Sequence, residues 1–185
     1  MALLQYLGAR WTGKPDAAIV QELGLCRGQV RVDVALVNGV LHGFEIKSDR
    51  DCLRRLSSQV GIYGQVLDRA TLVVGERHLQ EATATVPDWW GILRATPTRV
   101  GTRLVTVRRG RANPKRDVRV LVELLWQGEA LDLLERRGLA RGVRTKPRRY
   151  IWQRLSECVE EKVIAEAVRS RLRARSAPQF APPQP

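Results

Sequence analysis

Val30-Arg-Val-Asp-Val-Ala-Leu-Val-Asn-Gly-Val-Leu-His-Gly-Phe-Glu-Ile-Lys47 is the stretch whose reading decides the fold of this chain. Val30, Val32, Val34 and Leu36 alternate with a set that begins Arg31 and Asp33; Val40, His42, Phe44 and Ile46 alternate with Leu41, Gly43, Glu45 and Lys47. A period of two marks strands, and Asn38-Gly39 between them marks a hairpin. A two-residue turn would pair Val37 with Val40 and put Asp33 and Glu45 on opposite faces, because slipping a register by one residue flips every side chain. A three-residue loop, Val37-Asn38-Gly39, with Gly39 left-handed and Leu36 opposite Val40, brings both even sets onto one face. Asp33, Glu45 and Lys47 then share the other.

Those residue types suit phosphodiester hydrolysis. Mg2+ takes hard oxygen ligands and keeps several waters, so Asp33, Glu45 and the Ile46 carbonyl are its expected ligands. A bound metal lowers the pKa of water and stabilises charge on phosphate, and the Lys47 ammonium can hold the water or the developing charge. Ser48 and Asp49 are expected to cap the next helix. In that helix Leu53, Leu56, Val60, Gly64 and Leu67 form an apolar stripe, with Gln59 and Tyr63 beside it one turn apart. Upstream, Asp16 to Leu23 reads as a short helix ending near Gly24, which would lean Glu22 toward the hairpin as an auxiliary carboxylate.

The pattern resembles the PD-(D/E)XK, or restriction-endonuclease-like, nuclease superfamily. Asp33 matches the motif's Asp and Glu45 and Lys47 its Glu-x-Lys. Glu22 matches the helical Glu of many members, and Gln59-x-x-x-Tyr63 matches the Gln and Tyr of the RecB-like branch. The Pro that often precedes the motif Asp is replaced by Val32. Arg31-Val-Asp33, Gly43-Phe-Glu-Ile-Lys-Ser-Asp49, Arg55-Leu56, Gln59, Tyr63 and Pro87-Asp-Trp-Trp-Gly-Ile92 are more closely similar to an uncharacterised bacterial family known only by a locus-tag name. The resemblance implies an α/β core of mixed sheet flanked by helices, and cleavage of DNA dependent on Mg2+ or Mn2+. It also admits members that have lost catalysis, so the rival expectation is an inactive nucleic-acid-binding subunit of a repair, defence or mobile-element complex.

The rest of the chain fits this reading. Residues 1–93 carry 10 Lys and Arg against 10 Asp and Glu, whereas residues 94–185 carry 22 against 9, so the whole net charge of +13 lies in the second half. Lys and Arg bind polyanions by releasing counterions. The expected nucleic-acid contacts are therefore Arg108, Arg109, Arg111, Lys115 and Arg116 in a Gly/Pro-broken connection, and Arg144, Lys146, Arg148 and Arg149 in a later basic loop. Backbone contacts are expected over base readout, since the helix-turn-helix spacing here is loose. DNA is the expected partner, RNA stays open, and a homodimer or larger complex is allowed for.

Further strands are expected over Ala70–Gly75, Trp90–Ala95 and Arg103–Val107. Helices are expected over about Glu76–Ala84, Val118–Arg137 with Gly138 as C-cap, Arg148–Cys158 and Glu160–Arg173. This divides the chain into a nuclease-like core over 1–108, a basic helical extension over 109–175, and a tail over 176–185. The tail has four prolines among its ten residues and is expected to be disordered. Trp89 and Trp90 are expected in core packing, His42 as a satisfied core histidine, and His78 at the surface. Cys26, Cys52 and Cys158 are odd in number and widely spaced, which suits a reducing cytosol and neither a disulfide framework nor a zinc site. No basic region precedes the brief apolar N-terminus and no apolar run spans a membrane, so a cytoplasmic location is expected.

Overall fold

The computed structural model describes residues 2–176. Six strands form one sheet in sequence order: β1 (Ala18–Leu25), β2 (Val30–Val37), β3 (Leu41–Lys47), β4 (Arg69–Gly75), β5 (Gly91–Thr98) and β6 (Gly101–Arg108). The first three make an antiparallel meander, β3, β4 and β5 run parallel, and β6 returns antiparallel. Parallel neighbours need crossovers. After helix α1 (Ala2–Trp11), these crossovers are supplied by α2 (Leu56–Val66) and α3 (Leu79–Thr85). The result is a mixed α/β sheet flanked by helices.

Each sheet face has its own core. Leu3 and Leu7 of α1 cover Val34, Leu36, Phe44, Val73 and Leu93. The opposite face, with Ala35, Val37, Leu41, Leu72 and Ile92, is closed by α2 and by the C-terminal helices α4 (Val118–Leu121), α5 (Gln127–Glu135), α6 (Arg148–Cys158) and α7 (Glu161–Ser176). Ile151, Leu155, Ile164, Val168 and Leu172 lie in the same buried cluster as Leu25, Val32 and Tyr63. The basic half thus helps bury the sheet.

The hairpin keeps the expected parity but moves by one residue. Val37 pairs with Leu41 and Leu36 with His42, so the loop is Asn38-Gly39-Val40, with Gly39 at φ 91°. Advancing the loop by one residue preserves which side chains share a face and lets Val37 and Leu41, both fully buried, pair inside the core. Val32 departs from its alternation and packs with Ala35 and Val37. The pairing of β1 with β2 runs through Gln21–Val34 and Leu23–Val32 and skips Glu22, whose φ is 53°. The backbone distortion at Glu22, opposite Asp33 in the pairing, therefore coincides with the change of face.

Three further expectations need correction. Residues 16–23 are not a helix: Ala18–Leu25 is an edge strand, because pairing with β2 outweighs the local propensity of Ala, Gln, Glu and Leu. Ser48 and Asp49 do not cap the helix that follows them, whose leading turn has Cys52 at its N-cap. The Ser48 N–H donates to Asp51 Oδ2 (2.6 Å), and Asp49 Oδ1 accepts from Arg77 N (3.0 Å) at Gly75, where any Cβ would collide with that carboxylate. The helix expected over Val118–Arg137 is interrupted at Leu125 and Trp126, both extended, because the Leu125 carbonyl accepts from the Trp152 indole (3.1 Å) and Glu129 caps Trp126 N (2.8 Å). The strands from β4 to β6 and the helices α3, α6 and α7 lie where their patterns place them to within a few residues, and Gly138 has φ 69°. Residues 177–185, most of the expected Pro-rich tail, lie outside the described residues.

Candidate active-site cleft

Glu45 is a carboxylate in the interior, 1% exposed, and Lys47 two residues on is 6% exposed. They share a face near the carboxyl end of β3, and ligands of open α/β sheets bind outside the carboxyl ends of strands. An ionised pair survives such burial only if its hydrogen-bonding capacity is met. Lys47 Nζ donates to Glu45 Oε1 at 2.6 Å. From α2, one turn apart, Gln59 Nε2 donates to the same oxygen at 2.6 Å and the Tyr63 hydroxyl donates to Oε2. The Tyr63 hydroxyl also lies 2.9 Å from the Arg31 carbonyl, and its ring stacks on Trp90, centroids 5.7 Å apart. Burial foremost, and then the Glu45 charge, keep the phenol protonated far above its ordinary range. Trp90 is fully buried, as its core role requires.

Asp33 joins this group from β2. Its Oδ2 accepts from the Ile46 N–H at 2.7 Å, which ties the two strands just beyond the Val34–Phe44 pair. Burial and the Glu45 charge raise its pKa to about 6, against the lowering effects of the Ile46 N–H and Lys47. One ammonium therefore faces two carboxylates, and the negative charge is only partly compensated. Both acids line an open cleft of about 850 Å³, with Glu22, Arg31, Ile46, Lys47, Arg55 and Gln59 among its other walls.

The donor set suits a hard divalent cation, whose chemistry asks for oxygen ligands and excess negative charge. Asp33 accepts a single hydrogen bond among the described residues, and the buried Gln59 Oε1 has no partner. The set is minimal, because among the described residues no three His, Cys, Asp or Glu side chains gather as a metal cluster. Glu22 does not complete one. It sits on the edge strand, exposed, 3.4 Å from Arg31, and is the weakest of the charges acting on Asp33.

The basic residues divide into two groups. Arg109, Lys115, Lys146, Arg148 and Arg149 are exposed, with Arg148 over the Trp152 ring and Arg149 over Tyr150, at 5.1 Å and 4.8 Å. Others have partners within the chain, Arg144 while itself exposed. Arg108 donates to the Trp90 and Pro87 carbonyls (2.8 and 2.9 Å), Arg116 pairs with Asp68 and Glu161, and Arg144 pairs with Glu135 at 3.0 Å. Arg111 is exposed and reaches the Asp88 carbonyl at 3.3 Å. Sequence counting could not separate these groups, since pairing depends on which acids the helices bring near.

His42 is the satisfied core histidine expected: Nε2 lies 2.8 Å from Thr71 Oγ1, its ring stacks on Phe44, and burial lowers its pKa to about 4. His78, expected at the surface, is half-buried, and its Nε2 is enclosed without a partner among the described residues. No helix among the described residues is long and apolar enough to cross a membrane.

Among known proteins, the chain is 30% identical over 124 residues to "Protein cII" of Enterobacteria phage P4, covering 67% of this chain and 47% of that protein. It thus spans about half the length of the curated relative it matches. A solved protein of unknown function from Silicibacter pomeroyi is similar over 77% of this chain and 94% of its own, with a TM-score of 0.43 and 21% identity. The family model for bacteriophage P4 protein cII matches residues 1–180, nearly the whole length, and the chain belongs to that family.

Proposed function

We propose that this protein is a metal-dependent nuclease of the PD-(D/E)XK type that hydrolyses phosphodiester bonds of DNA. The observation that carries this reading is the convergence of Asp33, Glu45 and Lys47 at one cleft, with Gln59 and Tyr63 holding Glu45 from behind. Asp33, Glu45 and the Ile46 carbonyl would hold Mg2+ or Mn2+. When bound, the ion supplies charge stabilisation at the phosphate and a lowered pKa for water. Lys47, already anchored on Glu45, presents its ammonium to a phosphate oxygen or to the attacking water. Gln59 and Tyr63 are positioning residues, because they act through the Glu45 carboxylate. The exposed cations of the C-terminal half supply backbone affinity.

A second reading has its own observation. Glu45 already accepts from Lys47, Gln59 and Tyr63, which is how a purely structural buried acid is satisfied, and this favours a binding module that retains the fold without the chemistry. Purified protein incubated with linear and circular DNA in Mg2+, Mn2+ or EDTA separates the two. The nuclease reading expects cleavage with metal, and its loss in Asp33→Asn, Glu45→Gln and Lys47→Ala while DNA binding persists. A wild type that binds but cleaves nothing, or cleavage that survives in all three variants, overturns it.

A further inference from the structure

The cleft that holds the acids is also lined by guanidinium groups. Arg54 and Arg55, from the 3-10 turn Leu53–Arg55 that leads into α2, line it with Arg31 of β2 and Ser58. Arg54 and Arg55 are exposed, and neither forms an ion pair among the described residues; Arg31 has only the long, exposed contact to Glu22. The turn is held in place: Cys52 Sγ accepts from Arg54 N at 3.5 Å, and the Ser58 hydroxyl donates to the Arg55 carbonyl at 2.8 Å. These cations belong to the half of the chain whose net charge is zero. In the formally basic half, Arg116, Arg169, Arg171, Arg173 and Arg175 are already bound to Asp68, Glu161, Glu166, Asp132 and Glu129.

A guanidinium that has no acid partner and stands beside a cleft is set for an anion, and its planar fork matches two phosphate oxygens. We infer that Arg54 and Arg55, supported by Arg31, form a phosphate clamp that grips the DNA backbone in the cleft shared with Asp33 and Glu45. Substrate is then placed by the first half of the chain, while the C-terminal cations add affinity at a distance. The position of the clamped phosphate relative to a scissile bond rests on the nuclease reading; the contact itself does not.

The test uses the full chain and a short duplex DNA in EDTA, with affinity followed against salt. Arg54→Gln/Arg55→Gln should bind about tenfold more weakly or worse, and its log–log salt slope should fall by about 1.8, at roughly 0.9 per phosphate contact. Arg10→Gln/Lys14→Gln, which removes the same charge from exposed positions at the end of α1 and just after it, outside the lining of the cleft, should leave both unchanged. Arg54→Lys/Arg55→Lys, which restores the charge, should recover most of the slope. Thermal unfolding checks the fold, and the single variant Arg55→Gln replaces the pair if the pair fails to fold, with half the slope change expected. Wild-type affinity and slope in the folded Gln variant overturn the clamp. If binding depends on Arg54 and Arg55 but wild type cleaves nothing with Mg2+ or Mn2+, the nuclease reading falls and the clamp stands. If wild type cleaves and the Gln variant binds and cleaves as well, the clamp falls and the nuclease reading stands.

Discussion

Two carboxylate clusters sit at opposite ends of the β3–β4 pair, and they are compensated differently. At the start of the strands, Asp68 accepts from Leu41 N at 2.6 Å and pairs with Arg116 of the connection after β6 and Arg169 of α7. Its carbonyl also accepts from Asn113 N at 2.8 Å. Toward the other end, Asp33 and Glu45 share a single Lys47, and Asp33 is pushed up to about 6. In the first cluster Asp68 shares two guanidiniums, which also reach Glu161 and Glu166, and this paired network fastens the C-terminal helices to the sheet. The second leaves negative charge uncompensated beside a cleft. Strongly perturbed acids at a cleft mark candidate chemistry, whereas fully paired ones mark architecture.

Substitutions that separate chemistry from stability sharpen this contrast most. On the nuclease reading, Asp33→Asn should reduce single-turnover DNA cleavage about a thousandfold or more while leaving DNA affinity within a few fold, since it alters the proposed oxygen ligand and removes its charge without touching the exposed cations. A wild-type cleavage rate in this variant would place the chemistry elsewhere. Asp68→Ala should do the reverse. It removes the acid shared by Arg116 and Arg169, leaving them Glu161 and Glu166 alone, and the acceptor of Leu41 N, and should lower unfolding free energy by about 3 kcal/mol in denaturant titration. A folded Asp68→Ala protein should still cleave at saturating concentration.

Tyr63→Phe tests the rear of the cleft. It removes the donor to Glu45 Oε2 and should destabilise the protein by about 2 kcal/mol. If Tyr63 positions Glu45, the variant also slows cleavage without raising the apparent DNA dissociation constant.

The smallest effect concerns pH. Because the pKa of Asp33 in the folded protein is raised above its ordinary value, the folded state binds more protons between about pH 4 and 6, and stability falls as pH rises through that window. Asp33→Asn should therefore be the more stable protein at pH 8, by about 1 kcal/mol once solvent screening is allowed for. The advantage should vanish near pH 4. Thermal melts across this range measure it, and a pH-independent difference would mean that Asp33 is fully compensated.

Alternation and turn chemistry around Asn38-Gly39 were sufficient to specify the hairpin, its odd loop and the shared face of Glu45 and Lys47, because strand parity is a local property that any even shift preserves. Helical spacing placed Gln59 and Tyr63 on one side of α2 for the same reason. What local sequence could not decide is what each element meets. Residues 18–25 became a strand because β2 offered an edge to pair with. The shift of Val32 to the other face coincides with a distortion at Glu22 that has no sequence signature of its own. Nor could composition tell a free arginine from a bound one. Arg116 and Arg169 lie 48 and 101 residues from Asp68, while Arg54 and Arg55 have no ion pair among the described residues, within a half of zero net charge. Pairing energy depends on distance and burial in three dimensions, and those exist only once the helices have docked on the sheet.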